Sequence, residues 1–284
     1  MQKINYRTTY IILYMIGVMF SLFIIGYFSE IKDKTNIKTI SSLKIEEKFK
    51  THEELINEYF VKYENALLAL SKNKNLIEYL TSNKNEETLK ETFLTLNNSF
   101  ENSFQLRYID KNGYEKIKVR RDYNLRNNLS TITPNNLLQN KANRYYYNRF
   151  INLTKDNVGI SKIDLRREFG KEVLPKVSLL RLATPVYDKD DKKNGFVVFS
   201  INLETLFNTI RKSTLYDIYL IDNKQRFIIH PDNKKGILSN SFETYLLNDE
   251  FGLENAKEII SNLEIKNNDY YSKKISNLNT GQGL

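Results

Sequence analysis

The 284-residue chain has no cysteine, which excludes both a disulfide framework and a thiolate metal site. An extracytoplasmic location stays open, because a domain of this length can gather a sufficient core without covalent staples. Its two histidines, His52 and His230, are isolated from one another. They make no metal site, and both are expected at the surface. A phosphate-cradling glycine loop, a Gly-x-Ser-x-Gly elbow and a zinc signature are all missing. Carboxylates are plentiful, but nothing in their spacing pairs them for acid–base work. The sequence therefore reads as a binding part rather than an enzyme, and it implies no cofactor. Lys and Arg number 43 against 34 Asp and Glu, a net charge of +9. The lysines are scattered singly, with no dense basic block, so the charge reads as a solvated surface and not as a nucleic-acid interface.

One segment departs from this polar average. Residues 10–28 (YIILYMIGVMFSLFIIGYF) form a run of about nineteen residues without a charge. As a helix with ~1.5 Å rise per residue it spans roughly 28 Å, the thickness of a bilayer's hydrocarbon core. Lys3 and Arg7 precede it, which puts the N-terminus in the cytoplasm. Ser29-Glu30-Ile31-Lys32 follows in place of a small-x-small cleavage site, so the segment reads as an uncleaved anchor and not a signal peptide. Everything after residue 30 is then expected outside the cytoplasm.

Residues 35–71 hold no proline or glycine. Phe49, Ile56, Phe60, Tyr63, Leu67 and Leu70 recur at steps of seven, four, three, four and three, one face of a helix. That face either packs on its own domain or pairs as a coiled coil. Shorter amphipathic helices are expected over 73–81 and 86–100. The period then changes to two. FQLRYID (104–110) and EKIKVRR (115–121) flank a turn at Lys111-Asn112-Gly113, which spells a hairpin. A helical stretch follows over 137–153, then strands over 158–161, 179–187 and 195–202. Antiparallel strands with helices on one side make an α+β fold.

A second, smaller unit is expected from residue 203. It has a helix (203–212), strands at 217–221 and 226–230, helical pieces at 242–248 and 253–263, and a strand near 270–276. Ile109-Asp-Lys-Asn-Gly and Ile221-Asp-Asn-Lys-Gln fall at corresponding turns, which suggests a tandem duplication of one sheet module. The chain stops at a glycine-containing turn that would leave a sheet edge unpaired, and it reads as a partial one.

Residues 135–185 are the stretch the rest is organised around. Arg144 in a tyrosine-rich helix offers a planar fork for a carboxylate or phosphate; the alternative is a salt bridge to Asp164 or Glu168. Tyr146 and Tyr147 point to different helix faces, so not all of Tyr145, Tyr146 and Tyr147 can line one cavity. Arg107 and Arg181 sit in alternating strands and face either water or a pocket, with water expected. Asp110 and Asp222 end strands before turns and read as turn formers.

The elements from residue 35 onward resemble the double Cache (tandem PAS-like) sensor domains of bacterial membrane receptors. The resemblance rests on the order of elements and on Phe104-Gln-Leu-Arg-Tyr-Ile-Asp-Lys-Asn-Gly, Leu138-Gln-Asn-Lys-Ala-Asn-Arg-Tyr-Tyr-Tyr, Gly159-Ile-Ser-Lys-Ile-Asp, Leu180-Arg-Leu-Ala-Thr-Pro-Val and Gly195-Phe-Val-Val-Phe. Tyr219-Leu-Ile-Asp and Phe227-Ile-Ile-His-Pro-Asp resemble the membrane-proximal module. It implies a cytoplasmic N-terminus (1–9), a membrane span (10–28), a stalk helix (30–72), a membrane-distal module (73–202) and a membrane-proximal module (203–284). It further implies a homodimeric receptor in the bacterial inner membrane, its main domain periplasmic. In the amino-acid-binding branch an Arg-x-Trp-Tyr run holds the ligand carboxylate and a later acid holds its ammonium. Arg144, Tyr146 and Tyr147 match that run with tyrosine replacing tryptophan, while Ser200 and Asn202 stand where the acid is expected. With Asp164 and Arg181, the acid and cation that the 135–185 stretch sets among its apolar residues, the expected ligand set is Arg144, Tyr146, Tyr147, Asp164, Arg181 and Ser200, holding a small anionic molecule. Docking of a periplasmic binding protein is the alternative. Enzyme activity would enter only through an output domain beyond residue 284, a kinase or a cyclic-dinucleotide synthase.

Overall fold

A computed structural model describes residues 6–121, 129–169, 171–172, 177–213, 216–222, 224–232, 234–236, 245–266 and 271–273. The side chains of 6–13, 16, 17, 35, 37, 38, 172 and 266 are not described. The chain divides into two compact units, Met1–Glu54 and Leu55–Leu284. Helix α1 (Tyr6–Ser71) is followed by α2 (Lys74–Ser82), α3 (Glu86–Asn98), and strands β1 (Ser103–Asp110), β2 (Glu115–Arg121) and β3 (Ser130–Ile132). A 3-10 turn (Asn135–Leu137) leads to α4 (Tyr145–Ile151), then to β4 (Gly159–Ile160), β5 (Asp164–Leu165), β6 (Arg167–Glu168), β7 (Lys171–Glu172), β8 (Ser178–Tyr187) and β9 (Lys193–Asn202). The remainder is α5 (Glu204–Arg211), β10 (Leu220–Ile221), β11 (Phe227–Ile229), α6 (Leu247–Phe251), α7 (Leu253–Ser261), β12 (Glu264–Lys266) and β13 (Tyr271–Lys273).

In the first unit α1 carries a row of exposed apolar side chains, Tyr14, Met19, Phe20, Leu22, Phe23, Ile25 and Phe28 among them. Among the described residues no helix is long and apolar enough to cross a membrane. Residues 10–13, 16 and 17 of the expected span are among those whose side chains are not described.

The second unit is built on a seven-stranded antiparallel sheet of order β3-β2-β1-β9-β8-β4, with β5 also pairing to β8. Alternation sends Leu106, Tyr108, Ile117, Val119, Phe199 and Leu182 to one face. There they meet Ile56, Phe60, Tyr63, Leu67 and Leu70 of α1, together with Leu76 of α2 and Leu89 and Phe93 of α3. The 56–70 stripe thus belongs to its own core, and each such side chain contributes roughly 1.5–3 kcal/mol by leaving water. Asn73 starts α2 by accepting hydrogen bonds on Oδ1 from the N–H groups of Asn75 (2.9 Å) and Leu76 (3.3 Å). Arg121, buried, donates to the carbonyls of Asn97 and Phe100 (both 2.9 Å) and so satisfies the exposed end of α3.

The expected hairpin forms as β1–β2. At its turn the Oδ1 of Asp110 accepts from Asn112 N–H and Tyr114 N–H (2.9 Å each), the turn-forming role read for it. Asp222 does the same for Lys224 (2.9 Å) and Arg226 (3.0 Å), and the left-handed position is taken by Gly113 in one turn and Gln225 in the other. The two Ile-Asp turns are thus alike bond for bond. Gly195 carries φ +135 beside β1, and a Cβ there would fall 2.1 Å from the carbonyl oxygen of Ile109, so only glycine lets β9 approach.

The expected 137–153 helix is shorter than its periodicity suggests. Asn140 bridges to Tyr114, its Oδ1 accepts the N–H of Ala142 (2.8 Å), and the N–H of Lys141 donates to Gly113 O (2.7 Å). These bonds hold the segment extended against the hairpin turn, so α4 begins only at Tyr145. The strands β5, β6 and β7 have two residues each, too short for any alternation to show. The expected helix at 242–248 lies partly outside the described residues, as does the strand at 270–276.

Candidate functional site

The second face of the sheet is polar and yet is not open to water. β1 places Gln105 and Arg107 there, β2 places Glu115 and Lys118, β9 Ser200 and β8 Arg181, all of them buried. Cross-strand register brings them together: Arg107 pairs with Lys118 and Gln105 and Arg181 both pair with Ser200. Their cover is supplied by Gln139 and Lys141 after the 3-10 turn, by Tyr146 of α4 and by Glu168 of β6. Arg107 and Arg181 were expected to face solvent, but this cover turns a polar strand face into an interior. At the apolar end of the same face, Ile109, Ala183, Phe196 and Val198 pack against Tyr146 and Phe150 of α4.

Glu115 has no exposed side-chain surface. Its Oε1 accepts from Arg107 Nη1 (3.2 Å) and its Oε2 from the N–H of Gln139 (3.1 Å). Lys118 and Lys141 stand 3.8 and 3.9 Å away. Glu168 accepts from Gln105 Nε2 (3.1 Å), Lys118 Nζ (3.2 Å) and Gln139 Nε2 (3.0 Å). Burial by itself would raise the Glu168 carboxyl, but the nearby charges of Lys118, Lys141 and Arg107 pull it down to about 2. Burial lowers the Lys141 ammonium, only partly opposed by Glu115.

Asp164 joins two guanidiniums, Arg181 Nη1 at 2.5 Å and Arg144 Nη2 at 3.4 Å. The Tyr146 ring lies among three, with Arg181 4.7 Å from its centroid and Arg107 and Arg144 each at 5.8 Å. Its hydroxyl oxygen accepts from Arg107 Nη1 at 3.3 Å. Burial would raise this phenol, but Arg107, Arg181 and Lys141 outweigh burial and bring it below its ordinary value.

Of the six expected ligand residues, the structure gathers Arg144, Tyr146, Asp164 and Arg181 around one point. Ser200 sits one step behind it, accepting from Arg107 Nη2 at 3.0 Å. Tyr147 is elsewhere: it leans on Phe196 and donates to the carbonyl of Lys111. One position round the helix, Tyr145 faces the cleft instead, its hydroxyl on the carbonyl of Lys162 (3.0 Å). Sequence reasoning missed Glu115, Lys118 and Lys141, and Glu168, read as a possible partner of Arg144, instead accepts from Gln105, Lys118 and Gln139. The polar side of the 104–121 alternation was the available signal, but without knowledge of the cover it points to water. His230, expected at the surface, is buried among Tyr219, Phe227 and Tyr245, with Nδ1 accepting the N–H of Asp232 (2.9 Å).

Two spaces adjoin these groups. The inner one, beside Arg107, Tyr146 and Arg181, measures about 10 Å³, room for a single water. The outer one is a cleft of about 450 Å³ bordered by Arg144, Tyr145, Lys162, Asp164, Arg167 and Arg226. The cations Arg107, Lys118, Lys141, Arg144 and Arg181 gather around the acids Glu115, Asp164 and Glu168, and every one of those carboxylates already accepts from resident donors. Arg107 Nε and Arg181 Nε have no acceptor among the described residues. Such a site lacks acceptors and has no shortage of donors. Among the described residues no group of three or more potential metal ligands comes together.

The sequence pattern of the bacterial histidine kinase sensor domain matches residues 60–242. The chain belongs to this family. Its sensor-domain fold recurs in solved structures. The extracellular domain of the putative histidine kinase vpHK1S-Z8 aligns with a TM-score of 0.69 at 18% identity, over 81% of this chain and 82% of that one. The domain of a putative sensory box/GGDEF family protein from Vibrio parahaemolyticus gives 0.66 at 19%, over 75% and 81%. Methyl-accepting chemotaxis protein X gives 0.56 at 12%, over 80% and 84%. At these identities the likeness is one of fold, and it agrees with the Cache-type resemblance carried by the sequence. No curated protein matches the sequence.

Proposed function

We propose that this sensor domain is the extracytoplasmic part of a transmembrane signalling receptor and that it binds a small anion at the Arg144–Asp164–Arg181 cluster. One observation carries the reading: buried cations outnumber buried acids, every acid is already engaged, and two guanidinium N–H groups lack acceptors. An incoming ammonium would find no free carboxylate, whereas an incoming carboxylate or phosphate could take Arg144 and Arg181 from Asp164. Tyr146 forms the aromatic floor. The exposed apolar row on α1 supports a membrane span over residues 10–28, with residues 73–202 as the membrane-distal module and 203–284 as the proximal one. The ligand face and the face packed on α1 are the two sides of one sheet, so occupancy would be felt at the helix that enters the membrane. A homodimer gives that helix a partner to move against. Catalysis, on this reading, belongs to an output region outside this chain.

The full chain in detergent micelles, screened by thermal shift against small carboxylates and phosphates, should show a raised melting temperature with at least one anion. Arg144→Ala should remove that shift. No shift from any anion would refute direct sensing. The near-filled inner space favours a second reading, docking of a soluble periplasmic ligand-binding protein. A stable complex isolated from periplasmic extract, formed equally well by Arg144→Ala, would select it.

A further inference from the structure

The outer cleft draws on two parts of the fold. Arg144 and Tyr145 come from the start of α4 and Lys162 and Asp164 from the β4–β5 edge of the seven-stranded sheet, while Arg226 comes from the turn between β10 and β11. Arg226 is held in place from behind, Asp222 Oδ2 accepting from its Nε (2.8 Å) and Nη2 (2.5 Å). Its Nη1 donates to no described residue, and a guanidinium oriented from one edge offers the other edge to a ligand. Lys162 lies over the Tyr145 ring at 4.6 Å and makes no ion pair with a described residue. Arg167 adds a further positive charge to the lining. Among the described residues the cleft sets a single acid against these cations, Asp164, both of whose oxygens are occupied by Arg181 and Arg144. The volume of about 450 Å³ suits a metabolite.

We propose that this cleft takes a multiply charged acid, a polycarboxylate or a phosphate ester, with one anionic group on Arg144 and Lys162 and another on Arg226. This rests on the anion-sensing reading above and specifies it. A ligand with one charge satisfies only one side of the cleft. A ligand with two or more ties the sheet module to the β10–β11 turn, so Arg226 reports occupancy to the C-terminal part of the chain.

The test is isothermal titration of the full chain in detergent micelles with citrate, inorganic phosphate and acetate. The proposal expects citrate to bind through separate carboxylates, with inorganic phosphate and acetate as probes that carry a single anionic group. Arg226→Gln and Lys162→Gln should each weaken that binding by tenfold or more, with each unliganded variant still giving one cooperative unfolding transition. Acetate, if it binds, should be insensitive to Arg226→Gln. Three results overturn the proposal. If Arg144→Ala abolishes citrate binding while Arg226→Gln and Lys162→Gln bind it like wild type, anion sensing stands and the bridging cleft falls. If acetate alone binds, the ligand is a monoanion and the cleft has no second contact. If none of the three binds, the proposal falls, and the wider screen above decides whether the anion-sensing reading falls with it.

Discussion

Arg107 on β1 and Glu115 on β2, diagonal to one another in the hairpin, form a 3.2 Å ion pair with almost no solvent contact on either side chain. Two charges taken out of water cost several kcal/mol unless each is fully engaged. Here Glu115 also accepts from the Gln139 backbone, and Arg107 also donates to Tyr146 and Ser200. The pair therefore links the hairpin to the covering segment and to β9.

Removing one partner leaves the other buried and uncompensated. Glu115→Gln is expected to destabilise the folded chain by about 3 kcal/mol, in the range seen when buried pairs are broken. Replacing both partners together, Arg107→Met with Glu115→Leu, should recover a substantial part of that loss. Urea denaturation of wild type and the two variants measures it, and equal losses in the single and double variants would contradict the account.

Glu168 supplies a pH prediction. Its folded carboxyl titrates at about 2, below the ordinary 4.5, so the unfolded chain binds this proton first as pH falls. The stabilisation is complete above about pH 4.5 and disappears as pH drops toward 2, amounting to about 3 kcal/mol at neutral pH. Glu168→Gln should be less stable than wild type at pH 7 and should lose less stability between pH 5 and pH 2. Chemical denaturation at a series of pH values gives both slopes.

The sheet's other face tests the packing claim. Leu67 on α1 is wholly buried between the sheet and its neighbouring helices. Leu67→Ala should cost roughly 2–5 kcal/mol from lost transfer and the cavity left behind. Leu43, exposed on the same helix, should tolerate alanine within about 0.5 kcal/mol.

Gly195 tests the backbone. Alanine there meets both the positive φ and the Ile109 carbonyl 2.1 Å from its Cβ. Gly195→Ala should destabilise by more than the 1–3 kcal/mol typical of a strained residue alone, visible as a lowered melting temperature.

The hydrophobic side of this molecule was open to reading from sequence. The steps of four and three from Ile56 to Leu70 found the buried face of α1, and the alternation in 104–121 found the hairpin. The same alternation misled about Arg107, because period two says only that alternate residues share a face. Whether that face meets water depends on residues far along the chain, here Gln139, Lys141, Tyr146 and Glu168. Tyr147 entered the expected site through the Arg-x-Trp-Tyr match of the resemblance, but α4 starts at Tyr145 and carries Tyr147 onto Phe196 and the carbonyl of Lys111. Arg144 and Asp164 were placed correctly beside one another as one of two alternatives. Their shared partner Arg181 stood in the expected ligand set, although its place in an alternating strand was read as facing water.

The central claim is that the buried guanidiniums of this sensor domain await an anion. The most direct measurement is a crystal structure of the chain with a bound acid identified by the thermal-shift screen. The account predicts an oxygen of that acid within about 3.2 Å of Arg181 or Arg144, with Asp164 displaced from at least one of them. An Asp164 still bridging both arginines, with the acid bound elsewhere or only water beside them, would contradict it.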